Sequence, residues 1–173
     1  MWSTYLLIIL LLICVITDLR ERKIYNAVLF PFLIVALVLQ LFTGGLSGVT
    51  SALLGMIVGL GILLIPYLLG GMGAGDVKLL AVIGGIKGVE FVLFTSLYMA
   101  LAGGIFALFI LLFRKGLKAR LTKVFYFLHG LRSGMRLTHI LHDNSTLKTT
   151  YPYGVAIAAG ALYQAFFPGV LPI

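Results

Sequence analysis

The sequence predicts an all-α fold: a polytopic transmembrane bundle of about six membrane-crossing helices, joined in one place by a long polar connection. Three observations carry that prediction. Hydrophobic residues make up 61% of the chain and charged residues only 10%, whereas a soluble domain is about half apolar and about a quarter charged. Apolar runs recur at close to the length that crosses a bilayer. Basic residues fall between those runs rather than along them. With a mean hydropathy of +1.15, 173 residues supply too little polar surface to cover a water-soluble globule. Lipid is therefore the expected solvent, and residues 1–173 read as a single integral-membrane domain.

A crossing helix needs about 20 apolar residues, with about 17 as the lower limit. Trp2–Thr17 is the first candidate. It has no basic n-region and no small-residue cleavage site, so it reads as a retained helix rather than a signal peptide. Ala27–Thr43 and Val49–Leu69 follow, with Pro31 and Pro66 expected to kink them where neighbouring helices satisfy the freed carbonyls. Val77–Gly88 is apolar but short, and Gly84 and Gly85 interrupt it. Charge decides its course. If it crosses and the N-terminus starts outside, Arg20, Arg22, Lys23, Lys78 and the cluster from Arg114 to Lys148 are all cytoplasmic, leaving Lys87 outside. A turn-back would place that cluster outside, against the positive-inside bias. With Phe91–Phe113 and Tyr151–Phe167 the model has six crossings and both termini outside.

Residues 114–150 form the polar connection. Leu117, Leu121, Val124, Leu128 and Leu131 recur at three- or four-residue steps among Lys118, Arg120, Lys123 and Arg132. That pattern suits a basic amphipathic helix on an anionic cytoplasmic leaflet, which makes anionic lipids a partner. The net charge of +8 does not imply nucleic-acid binding, because it sits in inter-span connections. Cys14 is the only cysteine, so no intrachain disulfide or cysteine-built zinc site is available. His129, His139 and His142 lie away from any carboxylate cluster in the sequence. Neither a metal nor a cofactor is expected.

The chain has five acids. Glu21 sits among Arg20, Arg22 and Lys23 and reads as a solvated loop residue, Glu90 adjoins Lys87 in an outer turn, and Asp143 lies in the polar connection; all three read as structural. Asp18 and Asp76 stand instead at the ends of apolar runs, both at the cytoplasmic edge of the model. Each could be an ordinary helix-end acid, with Asp18 near Arg20 and Asp76 at a helix N-terminus. An acid near membrane depth is nevertheless a functional candidate, because at a helix centre it costs about 2.5–3.5 kcal/mol. Two carboxylates close together do not both ionise readily and hold one shared proton. One could then take a proton from water attacking a peptide carbonyl while the other polarises that carbonyl. The rival chemistry is an ion- or proton-coupled transporter or channel that uses Asp18 and Asp76. Transport sites usually lie near the midplane, whereas these two lie at one interface.

Gly70-Gly71-Met72-Gly73-Ala74-Gly75-Asp76 is a glycine-rich approach to a helix start. It lacks the Lys-Ser/Thr ending of a phosphate-binding loop, and its Asp would repel phosphate. Gly73-Ala74-Gly75-Asp76 followed by Val77-Lys78-Leu79 resembles the second catalytic motif, GxGD, of type IV prepilin peptidases. Asp18-Leu19-Arg20-Glu21-Arg22-Lys23-Ile24-Tyr25-Asn26 is similar to the first, with Tyr25 where that family commonly has Pro. Pro152-Tyr153-Gly154 is similar to a Pro-aromatic-Gly often found at the start of the last span. The presenilin-like GxGD proteases are a weaker match, since their first Asp typically follows Tyr inside a helix and Asp18 follows Thr17. The resemblance implies cleavage of the basic leader from prepilin-like or preflagellin-like proteins at the cytoplasmic face, with Asp18 and Asp76 catalytic. It also implies Arg20, Asn26, Gly73, Gly75 and Lys78 as motif residues supporting them. With one cysteine and no paired CxxC region, the chain resembles the short, peptidase-only members, without a methylating region.

Overall fold

The computed structural model describes residues 2–69, 71–113 and 153–167. The expected amphipathic connection at 114–150 lies outside the described residues. The chain divides into two compact units, Met1–Gly103 with Pro152–Ile173, and Gly104–Tyr151. Within the described residues the second unit contributes only the last turns of a helix that begins in the first.

All regular structure among the described residues is helical: α1 (Trp2–Glu21), α2 (Asn26–Leu68), α3 (Ala74–Lys87), α4 (Val89–Phe113) and α5 (Tyr153–Phe166). Two of them, α1 and α2, are long and apolar enough to cross a membrane. The α1 helix runs four residues beyond the expected end at Thr17. Leu19, Arg20 and Glu21 are good helix formers, and the Arg22 N–H still donates to the Asp18 carbonyl (2.9 Å). Arg22 then takes a left-handed conformation, φ 51°, of the kind that ends helices.

The two apolar runs 27–43 and 49–69 join into one helical element, α2, broken at a single residue. Gly45 has φ 57° and ψ −145°, a backbone region essentially reserved for glycine. There the chain reverses: Gly48, eight residues past Gln40, comes up against the Gln40 carbonyl, which a continuous helix would hold about 12 Å away. Residues 26–44 and 46–68 are thus the two arms of a hairpin. The expected connection at 44–48 shrinks to one non-helical glycine.

Between those arms lies α3. Its inward residues Leu79, Leu80, Ile83 and Ile86 are fully or almost fully buried, and it packs against α2, α1 and α5. The second arm of α2 runs antiparallel to it along a seam of small residues, with Gly55 against the Gly84 carbonyl and Gly59 against that of Leu80. On the first arm, the Gln40 side-chain amide donates to the Ile86 carbonyl (3.1 Å). Gly88, φ 87°, turns the chain directly from α3 into α4.

Outside this core the surface is apolar. On α1 the residues Leu7, Leu11, Cys14 and Asp18 face inward, while Ile9, Leu12, Ile16 and Leu19 are exposed. Exposed Phe30, Ile34, Leu53, Ile57, Leu97 and Leu101 continue the pattern on α2 and α4. A water-facing protein rarely leaves so much contiguous apolar surface uncovered.

Candidate active site

Asp18 and Asp76 reach one site from opposite parts of the first unit. Asp18 lies on α1 one turn before its end, at the fourth position of the inward stripe formed by Leu7, Leu11 and Cys14, which repeats at steps of four, three and four. It is 6% exposed. Asp76 lies in the first turn of α3 and is 9% exposed. The two carboxylates are within electrostatic range of each other.

A helix start anchors Asp76. Its Oδ2 accepts a hydrogen bond from the Gly73 N–H (3.1 Å), satisfying one of the donors that helix geometry leaves unpaired. This is the returning half of a capping box; Gly73 has no side chain to make the other half. The two motif glycines have distinct steric roles. A Cβ on Gly73 would stand 3.2 Å from Asp76 Oδ2, crowding the carboxylate it anchors. On Gly75 it would stand 2.9 Å from the Ile24 Cβ and 3.3 Å from the Ile24 carbonyl oxygen. Gly75 therefore lets the start of α3 press against the α1–α2 connection, where the first motif lies.

That connection is tied to α3 a second time, because the Lys78 Nζ donates to the Asn26 Oδ1 (3.0 Å). Both residues are exposed, at the rim of the site. Tyr25 donates its hydroxyl to the Glu21 carboxylate across the same connection. That bond, with some burial and the Glu21 charge, holds the Tyr25 phenol above its usual pKa. Arg20 is exposed and takes no part in these bonds. Six of the seven residues expected from the sequence (Asp18, Asp76, Gly73, Gly75, Asn26 and Lys78) thus lie around one short connection, while Arg20 is exposed.

A third helix completes the site. Gly154, in the first turn of α5, is buried against Asp18, and the N–H groups of Gly154 and Val155 face the Asp18 carboxylate. Asp18 Oδ2 is buried without a hydrogen-bond partner. Neither Gly154 nor Ile24 was among the residues singled out as site residues. The Pro-Tyr-Gly motif is the signal that points to the first, and the Ile24-Tyr25-Asn26 end of the first motif is the signal that points to the second.

Among the described residues, no group of three or more His, Cys, Asp and Glu side chains comes together to hold a metal ion. A cavity lined by Trp2, Ser3, Gln40, Thr43 and Ile86 opens at the other end of α1, a helix length away from Asp18. The arrangement around Asp18 and Asp76 can do acid–base chemistry: two carboxylates, shielded from water, with one oxygen unsatisfied.

Residues 5–108 match the model of the Type IV leader peptidase family. The match spans both aspartates and stops short of α5. No curated protein and no solved structure matches the chain.

Proposed function

The chain belongs to the type IV leader peptidase family, and on that premise we propose that it is a membrane aspartic endopeptidase. Its substrates are type IV prepilin-like or preflagellin-like proteins, from which it removes the basic leader. The observation that carries the proposal is the convergence of two buried acids, Asp18 of α1 and Asp76 of α3, in a largely apolar interior.

In the proposed reaction one ionised carboxylate takes a proton from water as the water oxygen bonds to the scissile carbonyl carbon. The other, protonated, aspartate donates a hydrogen bond to the carbonyl oxygen and stabilises the charge that develops there. The tetrahedral intermediate collapses with cleavage of the C–N bond, and the departing amine receives a proton from the pair. No covalent enzyme intermediate is involved. Exclusion of bulk water strengthens each electrostatic contact. Lys78, bonded to Asn26, keeps the connection after α1 registered with the start of α3, and so helps keep the two aspartates together.

The topology that fits this reaction has about six crossings, with each arm of α2 crossing once and the short α3 crossing at the centre. The distribution of Lys and Arg supports a cytoplasmic site, and residues 114–150 would rest on the anionic leaflet.

The test is a cleavage assay in detergent or liposomes with a prepilin carrying its basic leader, comparing the parent with Asp18→Asn and Asp76→Asn. Shortening of the substrate by the parent and by neither folded variant is the expected result. A variant that cuts as well as the parent removes its aspartate from the mechanism. Ion flux in the same liposomes then becomes the reading to pursue.

A further inference from the structure

The contact between α5 and Asp18 is not explained by two carboxylates sharing a proton. Gly154 is buried, and a Cβ built on it would lie 2.6 Å from Asp18 Oδ2, 3.0 Å from its Cγ and 3.3 Å from its Cβ. All three atoms belong to one side chain. The N–H groups of Gly154 and Val155 face the same carboxylate, and they belong to the first turn of a helix, whose N–H groups have no intrahelical partner and carry partial positive charge. Independently, Asp18 Oδ2 is buried and unpartnered. It thus lies against the start of α5 at a residue that has no side chain.

We infer that Gly154 is a positioning residue: by lacking a side chain and presenting the first-turn amides of α5, it holds the Asp18 carboxylate in its working orientation. The inference rests on the two-aspartate reading. It gives the aspartates matching supports, since each faces a helix start. Asp76 is held by its own helix through the Gly73 N–H, and Asp18 by a helix more than a hundred residues away in sequence. The outcome is a carboxylate whose rotation is limited on one side by α5.

Position 160 of the same helix supplies the contrast. A Cβ on Gly160 would stand 2.7 Å from both the Met99 nitrogen and the Thr95 carbonyl oxygen. Those are backbone atoms, so an alanine there must push α4 and α5 apart. At 154 the obstructing atoms are the end of a side chain that can rotate. Gly154→Ala should therefore turn Asp18 aside and leave the helices in place, whereas Gly160→Ala should disturb the fold.

The experiment measures kcat and KM for prepilin cleavage, together with melting midpoints, for the parent, Gly154→Ala, Gly160→Ala, Asp18→Ala and the Asp18→Ala/Gly154→Ala pair. For Gly154→Ala the expected result is a fall in kcat on the order of 10- to 100-fold, the scale of an ångström's misplacement, with KM little changed. Any loss of melting temperature caused by Gly154→Ala should vanish when Asp18→Ala has removed the obstructing carboxyl. Parental kcat in Gly154→Ala overturns the inference, as does an equal thermal loss with and without the Asp18 side chain. If Gly154→Ala does not fold, folding of the double variant supports the inference and its failure to fold overturns it. A parent that never cleaves the prepilin counts against the peptidase reading instead, and the thermal coupling of positions 18 and 154 still decides whether Gly154 positions Asp18.

Discussion

Gly59→Ala sets two effects of opposite sign against each other, and the structure says which wins. Gly59 lies on the second arm of α2, facing α3. A Cβ there would be 2.6 Å from the Leu80 carbonyl oxygen and 2.9 Å from both the Ala81 Cα and the Leu80 carbonyl carbon. Ordinary contacts lie at roughly 3.5–4.0 Å, so the arm and α3 would have to part by about 1 Å. The obstructing atoms are backbone and cannot rotate away, and overpacking of this kind costs about 1–3 kcal/mol. Against it stands the helix propensity of alanine, about 1 kcal/mol better than glycine in a helix interior. Gly61, two residues further along the same arm, has nothing within 4 Å of its would-be Cβ, so Gly61→Ala feels propensity alone. Gly61→Ala should therefore stabilise by up to about 1 kcal/mol, and Gly59→Ala should not. Their difference isolates the collision at about 1–3 kcal/mol. In thermal unfolding of the detergent-solubilised protein, at about 2–4 °C per kcal/mol, the two midpoints should differ by about 2–12 °C. Because α3 carries Asp76, its displacement should also lower the cleavage rate. Equal midpoints for the two variants would refute the close seam between α2 and α3.

Gly45→Ala should cost about 1–3 kcal/mol from backbone strain, because Gly45 has φ 57° and a Cβ there would meet nothing within 4 Å. Gly44→Ala, equally open but with no positive φ, is the control, and matching melting midpoints for the two would argue against a reversal at residue 45. The bond to the Glu21 carboxylate raises the Tyr25 phenol, so the proton stays on Tyr25 to higher pH than on an ordinary tyrosine, and whatever the bond contributes is complete below the ordinary phenol value and lost as pH rises through the raised one. Glu21→Gln should move the Tyr25 transition, read by ultraviolet difference titration against Tyr25→Phe, down towards about 10. An unmoved transition would show that Glu21 does not hold the phenol.

How far the sequence foretells this site depends on how each residue enters the energetics. The all-helical class follows from composition, and the ends of α4 and α5 fall within about two residues of the apolar runs at Phe91–Phe113 and Tyr151–Phe167. The hairpin was harder to foresee. Hydropathy marks two runs with a polar, glycine-bearing gap, but only backbone angles reveal that one residue, Gly45, makes the reversal while its neighbours stay helical. Asp18 could be found in two ways: as an acid closing an apolar run, and as the fourth member of the stripe of Leu7, Leu11 and Cys14. Asp76 announces itself through its glycine-rich approach. An acid among apolar residues is conspicuous because leaving it in lipid costs about 2.5–3.5 kcal/mol, so its presence demands a reason. Gly154 is the opposite case. Its contribution is the absence of a Cβ where Asp18 needs room, and an absent atom has no hydropathy, charge or period to read. What it does depends on which side chain stands opposite, and that is settled only when α5 packs against α1. A site built from two acids and a glycine is thus conspicuous in sequence at the acids and silent at the glycine, although all three bear on where one carboxylate points.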